Sequence, residues 1–293
     1  MHNSISTCSD ERSFIGTNQS VISYTFYLPN KKWSKVEAER KRLKGKGKPP
    51  VGSQLFKDAF ANGIERNLRG MREHFPGWVM RLYTDVDPDE SLCKMICNND
   101  DLFWCDVRQL PGGQNMSKYF PKTWRFLAMG DPTIDLFSIR DLDSELSNRE
   151  AAAIQDWLEV GKPFNLFRDF PKGHDRPILG GLWGGKNSLI GYELGKQLLN
   201  QLLERAVEQN DTKWALDQGL IGDVVYLPYE TKFVAYDSYH CTKWNKSGNV
   251  RPFPTQREGN EFLGSQVLWK LNPEPPTCPE ECRPTHGKHW KRC

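Results

Sequence analysis

Short runs of β-branched and aromatic residues alternate with segments of helical period through the first half of this chain. That alternation confines it to a layered α/β architecture. Val21-Ile-Ser-Tyr-Thr-Phe-Tyr-Leu28, ended by Pro29-Asn30, predicts a first strand. Leu55, Phe56, Ala59, Phe60, Ile64, Leu68 and Met71 recur at helical spacing and predict a helix that stops before Pro76-Gly77. Trp78 to Tyr83 predicts a second strand, Asp85 to Asn98 a short helix and Asp101 to Asp106 a third strand. After Pro111-Gly-Gly, the segment Lys122 to Met129 is expected to be helical, and Ile134 to Arg140 reads as a buried strand. Such an order predicts a mostly parallel, doubly wound sheet flanked by helices, with ligands at the carboxyl ends of the strands. The length of 293 residues suits a single domain with an ample core.

An aspartate pair, Asp141 and Asp143, closes the fourth strand. Residues two apart on an extended chain point the same way, so both carboxylates are expected on one side, roughly 7 Å apart along the backbone. Facing solvent together they would form a hard-oxygen site for Mn²⁺ or Mg²⁺; the alternative is a solvated turn before a helix. Ser147-Asn-Arg-Glu150 matches a capping box, in which the Ser147 hydroxyl accepts from the Glu150 amide while Glu150 reaches back. The helix it opens, through Val160, would aim its positive end at the acidic site. A long helix is expected over about Leu189 to Gln209.

Charge is unevenly placed. Lys31 to Pro50 holds nine basic residues against Glu37 and Glu39, a local charge of +7 in a chain whose formal total is +3, so the remainder is acidic at −4. A nucleic-acid-binding face interleaves basic residues with aromatics on folded structure; this one Lys-rich, Gly/Pro-ended stretch reads as a solvated loop, with capture of an anionic acceptor or membrane surface as the alternative. Nucleic acid is therefore not an expected partner. Eight cysteines and the acceptor patterns at Asn18, Asn115, Asn210 and Asn245 favour a disulfide-permissive secretory lumen. Residues 1–20 form a polar extension with no apolar leader core. No run reaches the roughly 20 apolar residues of a membrane span, so a soluble intracellular protein stays open as well. From Asn272 the tail is Pro/Cys-rich and basic and is expected to be poorly ordered. Its cysteines are expected to pair as disulfides, with zinc binding by Cys278, Cys282, His286, His289 and Cys293 as the alternative, and one pair among Cys93, Cys97 and Cys105 would bridge a helix to a strand.

Several stretches, in order, resemble a metal-dependent glycosyltransferase of the GT-A fold from a poorly characterised group. They are Trp124-Arg-Phe-Leu127, Ser138-Ile-Arg-Asp-Leu-Asp-Ser144 with Arg149-Glu150, Phe167-Arg-Asp169 with His174, Ile178-Leu-Gly-Gly-Leu-Trp-Gly184, Asp217-Gln218, Tyr236-Asp-Ser-Tyr-His-Cys241 and Pro252-Phe-Pro-Thr-Gln-Arg257. Weaker resemblance runs back through Ser23-Tyr24, so that residues 21–271 would be the GT-A domain, with the 31–50 insertion beside the nucleotide pocket and 272–293 a tail. The resemblance implies transfer of a sugar from a nucleotide-sugar donor, a UDP-sugar, to a glycan, glycoprotein or glycolipid, with Mn²⁺ or Mg²⁺; the secretory lumen favoured by the cysteines and acceptor patterns would then be the Golgi.

It implies roles residue by residue. Asp141 and Asp143 would hold the metal on the donor diphosphate, offsetting the charge that builds there as the bond breaks. Ser23, Tyr24, Arg125, Arg140 and Asp141 would contact the nucleotide, and Gly180, Gly181 and Trp183 would shape the sugar pocket. Asp217 and Gln218 would sit beside the transferred sugar, as base or hydrogen-bond partners, a pair that resembles retaining enzymes more than inverting ones. The group carries His-Asp-Ser where this chain has Tyr236-Asp237-Ser238, so Asp237 or His240 is expected as the third metal ligand. Two rivals remain: a catalytically degenerate, glycosyltransferase-like binding protein, and a nucleotidyltransferase, whose Gly-rich loop is missing after the first strand.

Overall fold

The computed structural model describes residues 6–9, 11, 16–27, 54–208, 216–245, 247–265 and 274–293, with side chains of the first helix described from 62 onward. The basic stretch 31–50, the sequon at Asn210 and the start of the tail lie outside the described residues. Eight strands form one sheet. They are β1 (Gln19–Phe26), β2 (Val79–Thr84), β3 (Leu102–Asp106), β4 (Ile134–Arg140), β5 (Phe164–Arg168), β6 (Leu182–Lys186), β7 (Phe233–Asp237) and β8 (Val250–Arg251). Their order is β3-β2-β1-β4-β6-β5-β7-β8. All neighbours run parallel except β6, which is antiparallel to both β4 and β5.

The alternation of side chains along the strands fills a core on each face of the sheet. Val21, Phe137, Phe164, Leu166, Trp183, Phe233 and Ala235 join one cluster, against the helix α5 (Tyr192–Glu208) with its buried Leu198, Leu199, Leu202 and Leu203. Ile22, Tyr24, Phe167, Val234 and Tyr236 join the other, against α1 (Gln54–His74) through Ile64, Leu68 and Met71 and against α3 (Asn148–Val160) through Ala153, Ile154 and Trp157. The short α2 (Glu90–Cys97) is opened by Asp89, whose side chain accepts from Leu92 N at 3.0 Å.

Four expectations change. The Trp124 segment forms a run of 3₁₀ turns, Pro121–Gly130, rather than an α-helix. The long helix is split at Gly191 (φ +86°) into α4 (Asn187–Ile190) and α5. The glycine-rich stretch expected to shape a sugar pocket is, from Leu182 on, the antiparallel strand β6, which local pattern could not reveal because its partners, β4 and β5, lie outside it. The capping box is half formed: Ser147 accepts from Glu150 N at 3.4 Å, but the Glu150 carboxylate lies 3.4 Å from Arg140 Nη2 instead of reaching back.

Cysteine pairing also departs from expectation. Cys105 pairs with Cys8 across 97 residues, leaving Cys93 and Cys97 free and exposed on α2. Cys241–Cys282 and Cys278–Cys293 fasten the tail, and the carbonyl of the buried Cys293 accepts from Arg257 Nε at 3.2 Å. The tail is thus ordered over 274–293, because crosslinks replace the apolar core its composition could not supply. Three disulfides suit a secreted or lumenal protein, and no helix among the described residues is long and apolar enough to cross a membrane. Asn18, Asn115 and Asn245 are exposed.

The long loop closed by Cys8–Cys105 predicts that Cys8→Ser lowers the unfolding free energy by roughly 2–4 kcal/mol. Cys93→Ser is expected to stay within about 0.5 kcal/mol of the parent. Denaturant unfolding under non-reducing conditions measures both.

Candidate functional site

β1 and β4 are spatial neighbours but distant in sequence, with Ser23 in register with Ile139, and ligands of open α/β sheets settle at the carboxyl ends of such strands. β4 ends at the buried Arg140, and the chain then turns, Ser144 N donating to Asp141 O at 3.2 Å. The rule for extended chains therefore does not apply to Asp141 and Asp143. Asp141 lines a cleft of about 430 Å³ at this end of the sheet; Asp143 does not.

Behind Asp141 lies the guanidinium of Arg125, whose side chain is 4% exposed. Nη1 donates to Asp141 Oδ1 at 2.5 Å and to Arg140 O at 3.2 Å, and Nη2 donates to Asp217 Oδ2 at 2.7 Å. β1 holds the backbone of this arginine. Arg125 N donates to Thr25 Oγ1 at 3.0 Å, and the Ser23 hydroxyl donates to Arg125 O at 2.7 Å. Burial acts to raise the Asp141 carboxyl, but Arg125 outweighs it, helped by Lys122 and Arg140, and holds it well below the usual carboxylate range. Burial likewise works against charge on Arg125, and Asp141 and Asp217 overcome it.

Gly180 and Gly181 are where they are because nothing larger fits. A Cβ on Gly181 would overlap Asp141 Oδ2, and one on Gly180 would overlap Asp217 Oδ2 and meet Arg125 Nη2 at 3.0 Å. The two glycines let the backbone entering β6 pass directly over the carboxylate–guanidinium–carboxylate row.

The cleft is lined by cations and by acceptors that lack donors. Among the described residues, Lys122, Arg125, Lys172 and Arg176 line it with two carboxylates, Asp141 and Asp217, a sum of +2. Asp217 is buried, yet among the described residues its Oδ1 has no hydrogen-bond partner, with Lys122 Nζ standing 4.0 Å away, and neither does Gln218 Oε1. Buried acceptors without donors are uncommon and point to a ligand that brings hydroxyls or N–H groups. His174 also lines the cleft. Asp169 N donates to its Nδ1 at 3.1 Å, so in the neutral ring the proton sits on Nε2. Burial pushes its pKa down to about 4, with Arg257, His240 and Arg140 acting in the same direction against Asp169.

The wall carrying Lys172, His174 and Arg176 is anchored by Asp169. This buried carboxylate accepts from Arg149 Nη2 at 2.9 Å, Arg257 Nη2 at 2.8 Å and Ser238 Oγ at 2.6 Å. Phe170 stacks on Phe262 with centroids 4.1 Å apart. Arg149 and Arg257, both in stretches that resemble the glycosyltransferase group, thus support the cleft from beneath.

Other expected site residues lie elsewhere. Trp183 is fully buried among Phe126, Phe137 and Phe164, a core side chain and not a platform for sugar. Tyr24 is also in the core, its hydroxyl donating to Asn67 Oδ1 at 3.0 Å, and Ser23 is spent on Arg125. The Arg140 side chain is buried against Glu150 and donates from Nη1 to Gly181 O at 3.5 Å, while its carbonyl accepts from Arg125. The first turn of α3 lines a different, smaller pocket with Thr255 and Glu258, so its amino end does not face Asp141.

The donor set does not fit a divalent cation held by the protein. Asp237 is buried with Arg168 Nε at 2.6 Å and accepts from the backbone of Tyr239 and His240. His240 Nε2 is 3.1 Å from Pro171 O. With Asp143 outside the cleft and one Asp141 oxygen on Arg125, the described residues contain no group of three His, Cys, Asp or Glu able to hold a metal. The sequence reading missed Lys122, Lys172, His174 and Arg176 as site residues. Their signal was present in Lys172-Gly-His-Asp-Arg176, a charge-dense, glycine-containing loop just after β5.

No protein-family model matches the chain, and no curated protein matches it. Among solved structures the chain is similar to the glycosyltransferase GlyE of Streptococcus pneumoniae TIGR4, at 14% identity over 76% of this chain, with a TM-score of 0.44. It spans about half the length of that protein, 46%. So distant a likeness carries no function across.

Two outcomes follow from this geometry. Gly181→Ala is expected to displace Asp141 and lower stability by about 1–3 kcal/mol, as overpacking does, measured by chemical unfolding. For His174, the folded state keeps the neutral ring down to about pH 4 while the unfolded chain takes up a proton near pH 6.5. Its contribution is therefore fully present above about pH 6.5 and is lost as pH falls toward 4, up to roughly 3 kcal/mol. His174→Asn, which keeps an acceptor for Asp169 N, is expected to flatten that window in urea titrations; an unchanged pH slope contradicts the neutral ring.

Proposed function

We propose that this protein is a glycosyltransferase that moves a sugar from a nucleotide-sugar donor, a UDP-sugar, to a hydroxyl of a glycan, glycoprotein or glycolipid in the Golgi lumen. The observation that carries the reading is the pairing, in one cleft, of a cationic wall with two buried, unpartnered acceptors, Asp217 Oδ1 and Gln218 Oε1. A nucleotide sugar has both matching parts: an anionic diphosphate and a ring of hydroxyl donors. The resemblance of the Asp141, Arg125, Gly180-Gly181 and Asp217-Gln218 stretches to GT-A enzymes supports the same reading.

In the reaction the bond between the anomeric carbon and the diphosphate oxygen breaks, its electron pair leaving on phosphate. A bond to the acceptor oxygen forms, and the acceptor loses its proton. Positive charge grows on the sugar ring and negative charge on the leaving group. Asp217, fixed by Arg125 from one side, presents Oδ1 to the sugar, and Gln218 Oε1 accepts from a second hydroxyl. Lys122, Lys172 and Arg176 face the leaving group. Asp217 is the group placed to take up the acceptor proton or to steady the charged ring.

The separation of Asp141 from Asp143 favours one alternative, a GT-A-like protein that binds donors without turning them over. Release of nucleoside diphosphate from a panel of nucleotide sugars, with and without oligosaccharide acceptors, separates the two. Turnover is expected with at least one donor, and Asp217→Asn is expected to lower kcat by about 10²-fold or more while donor affinity stays within severalfold. Binding without release from any donor would leave the binding-protein reading standing alone.

A further inference from the structure

The charge of the cleft bears on how a diphosphate is held there, given the glycosyl-transfer reading above. Both carboxylates that reach the cleft are already committed to a cation: Asp141 Oδ1 and Asp217 Oδ2 share the Arg125 guanidinium, at 2.5 and 2.7 Å. Among the described residues, more cations than carboxylates line the cleft. Lys172 and Arg176 are exposed at the mouth and form no ion pair or hydrogen bond among the described residues. Lys122 stands on the opposite wall beside Asp217. The +2 summed over the described lining residues is opposite in sign to the charge of a diphosphate esterified at both ends. A resident dication would instead add to a positive field and would find, among the described carboxylates of the cleft, only the second oxygens of Asp141 and Asp217, with Asp237 and His240 bound elsewhere.

We propose that the donor diphosphate is held and neutralised by side-chain cations, Lys172 and Arg176 on one wall and Lys122 on the other, so that donor binding needs no divalent metal. Arg125 works from behind, as a positioning residue that keeps Asp141 and Asp217 from repelling the phosphates. The neutral imidazole of His174, with its proton on Nε2, adds a hydrogen-bond donor on the Lys172 wall. When the glycosidic bond breaks and its electrons pass to phosphate, the added negative charge meets cations already in place, without proton transfer.

Calorimetric titration of the full chain with UDP, in EDTA and again in excess Mn²⁺, tests this. The dissociation constant is expected to agree within about threefold between the two conditions and to rise with ionic strength. Lys172→Ala with Arg176→Ala, both exposed and so expected to leave the thermal midpoint unchanged, should weaken UDP in EDTA by about tenfold or more. Asp141→Asn should leave UDP affinity equal or higher, since it removes a negative charge; a metal ligand at that position would give the reverse. UDP binding that appears only with Mn²⁺, or that is lost in Asp141→Asn, overturns the inference and leaves glycosyl transfer standing. Undiminished binding by the double variant overturns it as well. No UDP binding in either condition overturns both the inference and the glycosyltransferase reading.

Discussion

A guanidinium buried between two carboxylates sets the geometry of the cleft. Arg125 draws together residues from three separate parts of the chain: Asp141 after β4, Asp217 at the start of a short helix (Leu216–Ile221), and the backbone of β1 through Ser23 and Thr25. Buried ion pairs of this kind contribute little net stability, because desolvation offsets much of the attraction. Their effect is positional. Each carboxylate satisfied on one oxygen keeps a fixed orientation, so Asp217 Oδ1 can remain without a partner at a defined place in the cleft. Gly180 and Gly181 complete the arrangement by letting the chain pass over that row without a clash.

A second buried network does the same for the opposite wall. Asp169 gathers Arg149, Arg257 and Ser238, and the loop that follows it carries Lys172, His174 and Arg176. The crosslinked tail closes over this network, since Arg257 also donates to the carbonyl of Cys293. Disulfides at the periphery are thus connected, through one arginine and one aspartate, to the wall of the cleft. Each buried arginine described in these networks has a carboxylate partner, whereas Lys172 and Arg176 at the mouth of the cleft have none among the described residues. That contrast makes the mouth, and not the network beneath it, the place where an anion would be recognised.

How much of this was legible depended on the range of the interaction. The first four strands and the helices after β1 and β2 follow from local periodicity, with bounds no more than about five residues from those expected, while the segment before β4 forms 3₁₀ turns instead of the expected helix. β6 was not legible, since its antiparallel course is decided by partners on either side of it. Arg125, Asp141, Gly180, Gly181, Asp217 and Gln218 could be picked out by residue type and resemblance, and the structure brings them into one cleft. Trp183, Tyr24, Ser23, Asp237 and His240 were picked out on the same grounds, but they are held in the core or in other contacts. An indole beside glycines looks alike in sequence whether it faces a sugar or three phenylalanines.

Residue order by itself determined the alternation of strands and helices, the strand end at which acidic residues collect, and the presence of cysteines enough to crosslink the chain. These are properties of short windows, where period and residue type act directly on backbone preference. Only tertiary structure decided that Asp141 would turn toward Arg125 while Asp143 left the cleft, that Cys8 rather than Cys93 or Cys97 would join Cys105, and that a loop after β5 would supply the cations. Each of those outcomes rests on contacts between segments tens of residues apart. Electrostatic pairing and burial there depend on distance in space, which the sequence encodes but does not display.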